Sequence, residues 1–67
     1  MNYITIATIN GEKFKNVETF ARTVDKAEKI AMIILKSQYV GEIEIIRTLT
    51  IKDYNDLLRK LKIIKKE

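Results

Sequence analysis

Glu42 and Glu44 are the pair of side chains best spaced for acid–base or hard-cation chemistry. Residues two apart on a strand point to the same side, so their carboxylates could converge on a cation or share a proton. The simpler reading is a solvated strand face. Ser37 is the sole serine and has no base at helical spacing to activate it. The chain has no His and no Cys. Imidazole general bases, thiol nucleophiles, disulfides and Cys/His metal sites are therefore excluded. No glycine-rich loop is present to cradle phosphates. These subtractions point to a non-enzymatic protein without cofactor, metal or small-molecule substrate.

The cations suggest a different chemistry. Net charge is +4. Residues 52–67 hold six basic and three acidic groups, so most of the excess lies in the last sixteen residues. Lys52, Arg59, Lys62 and Lys66 could neutralise phosphates. Lys13-Phe14-Lys15 sets an aromatic ring between two cations, which could stack on an unpaired base. A nucleic-acid-binding role through these seven residues is the alternative expectation. Against it, lysines commonly cover the solvated face of an amphipathic helix and suit its C-terminal dipole.

Protein contact is the first expectation, because apolar residues exceed what one core requires. Met32 and Ile33 flank the apolar stripe of the first helix, and Ile63 lies off the arc of the last. These three are candidate contact residues for another protein or for a second copy of the chain. The competing reading is that the two helices pack against each other there. A strand edge is another contact site, with Glu18 and Glu42 as the charges that would guard it. A membrane role is not expected. The last helix has no Trp or Phe on its apolar arc, and no apolar run approaches about 20 residues.

The elements that position these residues follow from pattern. Residues 2–9 are β-branched and aromatic, Asn10-Gly11 is a strong type I′ turn signal, and residues 12–20 read as the returning strand. A two-residue loop sets Ile9 against Glu12, Ala7 against Phe14 and Ile4 against Val17. A bulge after Gly11 would change that register. A helix starts at Thr23 or Asp25 and ends near Tyr39, with Gly41 as the break. Its stripe is Ala27, Ile30, Ala31, Ile34 and Gln38, with Val24 and Leu35 on the flank. Residues 42–49 form a third strand, with Ile43, Ile45 and Leu49 on one face and Glu42, Glu44 and Ile46 on the other. Thr50 caps the last helix and Asp53 sits at the capping-box position. That helix shows Tyr54, Leu57, Leu58, Leu61 and Ile64 on one arc. The core assigned to this arc implies that Leu61→Asp unfolds the chain and that Ile63→Asp does not.

The expected fold is α+β, ββαβα: a three-stranded antiparallel sheet of order 2-1-3 packed with two helices. Sixty-seven residues make one domain, 1–67. The N-terminus lacks the basic and apolar regions of a signal peptide, so a cytoplasmic location is expected. Ile occurs twelve times. In its small size and Ile/Lys/Glu-rich composition the chain resembles small accessory proteins of phages and other mobile elements in AT-rich genomes. That compositional resemblance implies a regulatory or inhibitory role toward a host protein.

Overall fold

The computed structural model describes residues 1–65, with side chains through Leu61. Strands β1 (Asn2–Ile9) and β2 (Lys13–Phe20) form a hairpin. Helix α1 (Val24–Gln38) follows, then strand β3 (Ile43–Thr50) and helix α2 (Ile51–Lys65). The sheet is antiparallel with order β2-β1-β3. The ββαβα expectation and the 2-1-3 order hold. β1 is central because both of its faces are apolar enough to be covered.

The two helices lie on opposite faces of the sheet. Ala7, Ile9 and Val17 pack with Ala31 and Leu35 of α1, and Tyr3 packs with Ala21 and Ala27. Asn16 has the opposite parity to Val17 on β2, and its Nδ2 donates to Tyr54 Oη of α2 at 2.9 Å. α1 rests on all three strands, whereas the described part of α2 packs over β3 and β1 and touches β2 through the Asn16–Tyr54 bond. Among the described residues the helices do not touch. The helix-against-helix packing considered for Met32 and Ile33 does not occur, since a sheet stands between the two.

Two bulges decide which side chains face which helix. Asn10 (φ 54°) and Gly11 (φ 68°) form the expected type I′ turn, closed by Glu12 N donating to Ile9 O at 3.1 Å. Ile9 then pairs with Lys13 and Ala7 with Lys15, rather than with Glu12 and Phe14. Glu12 is the extra residue. The two-residue register would have placed Asn16 and Glu18 beneath α1. The one-residue shift puts Val17 and Thr19 there and turns Phe14 the other way. On β3 the second bulge falls at Ile46, between the Ile6–Arg47 and Ala7–Ile45 pairs. Ile43 and Ile45 therefore face α1, but Leu49 does not share their face as its spacing implied. Leu49 lies on the α2 side, where with Leu57 it lines the cleft between β3 and α2.

The helix stripes are also corrected. Thr23, not Asp25, caps α1: its Oγ1 accepts from Lys26 N at 3.2 Å. The buried stripe of α1 is Ala27, Ala31 and Leu35, while Ile30 and Gln38 are exposed. The alanines bring the helix close to the sheet, and Leu35 fills the centre at 1% exposure. Burying such a side chain contributes about 2–3 kcal/mol. Thr50 caps α2 as expected, accepting from Asp53 N at 3.2 Å. Among the described side chains of α2, Ile51, Tyr54 and Leu57 are half-buried. Leu58 is exposed, and Leu61 is 48% exposed. A charge at Leu61 would meet solvent, so Leu61→Asp would not unfold the chain, contrary to what its place on the apolar arc implies. Ile64 lies outside the described side chains.

A polar line runs through the α1 layer. Thr5, fully buried, sits 3.1 Å from Thr48 Oγ1, and Thr48 Oγ1 donates to Glu28 Oε2 at 2.8 Å. Thr48 has one hydroxyl hydrogen, so Thr5 must be the donor in the first bond. Thr19 Oγ1, also buried, has no partner among the described residues.

Candidate protein-binding surface

Two large apolar side chains stand uncovered on the outer flank of β2 on the α2 side. Phe14 and Phe20 are 70% and 75% exposed. They share parity with Asn16, so both project on the face where α2 lies, at either end of the strand. α2 sits over β3 and β1 and reaches β2 at Asn16, through Tyr54, leaving both rings exposed. The half-buried Ile4 and Ile6 of β1 lie beside it, and Leu58 adds apolar surface from α2. Burying an aromatic ring removes roughly 150–250 Å² from water, so two rings about three-quarters open leave a large area uncovered.

The backbone of β2 adds a second feature. Ala21 N donates to Met1 O at 3.0 Å, just beyond the Asn2–Phe20 pair. Hydrogen-bonded pairs alternate in an antiparallel ladder. The odd residues of β2, from Lys13 to Thr19, therefore bond to β1. Phe14, Asn16, Glu18 and Phe20 turn their N–H and C=O groups outward. Among the described residues no strand other than β1 lies beside β2, and α2 reaches it through the Asn16–Tyr54 bond. This edge is eight residues long, without proline and without a bulge once past Glu12. The opposite edge, β3, is interrupted at Ile46.

The other candidate residues are dispersed. Lys13 and Lys15 lie on the α1 side of the sheet, and the Lys15 ammonium stands 5.4 Å above the centre of the Tyr39 ring. Phe14 lies on the α2 side. The pleat thus splits the Lys13-Phe14-Lys15 triplet between two faces. Lys52 and Arg59 are exposed on the outer side of α2, roughly one helical face from Tyr54 and Leu57. The side chain of Lys62 and the whole of Lys66 lie outside the described residues, as does the side chain of Ile63. Ile33 is 69% exposed on α1. Met32 is half-buried and lines a shallow hollow with Asp25, Glu28, Lys29 and Ile45.

Ser37 Oγ donates to Ile34 O at 2.7 Å, a bond back onto its own helix. Glu42 and Glu44 border a hollow of about 240 Å³ with Thr8, Asn10 and Gly11, smaller than typical ligand pockets. Among the described residues no three His, Cys, Asp or Glu side chains gather as a metal site would require. No described helix is long and apolar enough to cross a membrane.

Sequence reasoning names a strand edge as a contact site, with Glu18 as its guard, but misses Phe20 and does not single out β2. The signal was present in part: Phe14 and Phe20 are six apart and so share a face, opposite to Val17. Only the bulge at Glu12 shows which of those faces meets α1.

No family model, curated protein or solved structure matches this chain at a significant level.

Proposed function

We propose that this chain is a non-enzymatic binding module that engages protein through β2 and the sheet face beside α2. The observation that carries this reading is the pairing of two exposed rings, Phe14 and Phe20, with an unblocked strand edge between them. Exposed aromatics on a rigid strand supply the anchors of protein interfaces, and a free edge supplies main-chain hydrogen bonds with little ordering cost. A regulatory or inhibitory role toward a host protein fits this reading and rests on the compositional resemblance. A cytoplasmic setting fits the absence of cysteine. The nucleic-acid reading has less support, because Lys13 and Lys15 lie on the α1 side of the sheet whereas Lys52 and Arg59 lie on the outer side of α2, so these four are divided between two surfaces.

The test is a paired capture. Tagged protein and its Phe14→Ser/Phe20→Ser variant are exposed to a lysate of the native host, with nuclease-treated controls. The reading predicts a stoichiometric protein partner, either another chain or an untagged copy, held by the parent and lost by the variant. Identical profiles for the two proteins, or retention that vanishes with nuclease, would contradict it.

A further inference from the structure

We infer that the partner fitted by the β2 edge is a second copy of this chain, joined antiparallel across a two-fold axis at Val17. The inference rests on the protein-binding reading above and names its partner.

The outward groups belong to Phe14, Asn16, Glu18 and Phe20, spaced evenly along the strand. A two-fold axis through Val17 sets Phe14 opposite the partner's Phe20, and Asn16 opposite the partner's Glu18. The same contacts then repeat on the other side of the axis. All four outward residues find outward residues, giving about eight main-chain hydrogen bonds by antiparallel geometry. Neighbouring registers are worse. A shift of the axis to Glu18 sets two carboxylates directly opposite, and a shift to Asn16 leaves both Phe20 residues without a partner.

Side-chain chemistry follows the same register. Residues directly opposite in an antiparallel pair share a face with Cβ atoms about 5 Å apart. Each Phe14 ring therefore meets the partner's Phe20 ring on the α2 side, within reach for an offset or edge-to-face contact. Asn16 can donate to the Glu18 carboxylate across the axis. On the other face Lys15 stands opposite Thr19. The strand is self-complementary because its sequence is nearly palindromic in type, Phe-x-Asn-x-Glu-x-Phe.

The rest of the fold permits this joint. α1 spans the three strands, so its axis lies near β1. At about 4.8 Å per strand, the two α1 helices would stand about 14 Å apart, beyond the 8–10 Å of packed helices. α2 and its copy lie farther out. The product is a six-stranded antiparallel sheet in which both bulged β3 strands form the outer edges. Isologous joining of this kind closes after two copies and leaves no long regular edge for further addition.

Sedimentation of the full chain tests the inference, with three variants that leave the subunit's own bonds in place. Glu18→Pro removes an outward N–H only and is expected to give monomer with an unchanged circular dichroism spectrum. Phe14→Glu/Phe20→Glu sets like charges opposite each other twice and is expected to give monomer as well. Phe14→Lys/Phe20→Glu sets Lys opposite Glu twice and is expected to restore the dimer, a rescue only this register explains. Equal mixtures of Phe14→Cys and Phe20→Cys chains, which have no other cysteine, should cross-link to each other in preference to themselves. A parent that sediments as monomer at high concentration overturns the inference. So does a dimer indifferent to Glu18→Pro, or one in which the Lys/Glu pair fails to recover association. If the parent is monomeric yet its captured partner is lost on Phe14→Ser/Phe20→Ser, the protein-binding reading stands and only the identity of the partner falls.

Discussion

Gly41→Ala is the substitution whose cost can be worked most fully from the structure. Gly41 has φ 130°, a conformation that side chains on L residues rarely adopt. A Cβ there would stand 2.5 Å from Asn10 Oδ1 and 2.6 Å from Asn10 Nδ2. Asn10 cannot move freely. Its Oδ1 accepts from Glu42 N at 2.9 Å, and its own N donates to Glu42 O at 2.7 Å, tying the hairpin turn to the start of β3. Backbone strain costs about 1–3 kcal/mol, and losing the side-chain bond costs about 1 kcal/mol. The sum, about 2–4 kcal/mol, is a large part of the roughly 3–10 kcal/mol that a chain of this length is expected to have. With a urea slope near 1 kcal/mol/M for so small a protein, the midpoint should fall by about 2 M or more. Gly11→Ala is the control. Gly11 also has positive φ, but a Cβ there meets nothing within 4 Å, so the cost should stay near 1 kcal/mol. Asn10→Ala clears the space, so the Asn10→Ala/Gly41→Ala double variant should lose less than the sum of its parts. Equal costs for Gly41→Ala and Gly11→Ala, or strict additivity with Asn10→Ala, would refute the reasoning.

Further predictions follow from burial and bonding. Leu35→Ala should cost about 2–5 kcal/mol in chemical denaturation, because Leu35 is 1% exposed between α1 and the sheet. Leu61→Asp should cost less than about 1 kcal/mol, and a transition as damaging as that of Leu35→Ala would mean α2 is packed more tightly than described. Thr19→Val should leave stability unchanged or raise it by about 1 kcal/mol, since the buried Thr19 hydroxyl lacks a partner; a clear loss of midpoint would reveal a hydrogen bond there. Glu28→Gln preserves an acceptor for Thr48 and should be nearly silent, whereas Glu28→Ala should lower the unfolding free energy by about 1 kcal/mol in chemical denaturation.

Much of the fold was legible in the sequence because its local signals agree. Asn10-Gly11, Thr23, Gly41 and Thr50 each mark an element boundary by turn or cap chemistry, and the structure uses all four. The two apolar faces of β1 implied a central strand and so the 2-1-3 order. What remained hidden depended on single inserted residues. One extra residue at Glu12 and another at Ile46 each reverse the faces of everything beyond them, and period-2 patterns cannot reveal such a reversal. The apolar arc of α2 was read as core because periodicity reports which residues share a side, not whether anything covers that side. The face taken by Phe14 is hidden for the same reason: Lys13, Phe14 and Lys15 are adjacent in sequence, but alternate residues on a strand face opposite ways.

Amide hydrogen exchange of the β2 residues, followed by NMR, tests the central claim most directly. The odd residues from Lys15 to Thr19, bonded to β1, should be protected under all conditions. The amides of Phe14, Asn16, Glu18 and Phe20 should be protected in concentrated or partner-bound protein and become fast on dilution or on Glu18→Pro substitution at the neighbouring sites. If those four amides exchange rapidly at every concentration and with every captured partner, β2 is not the binding edge and the account is contradicted.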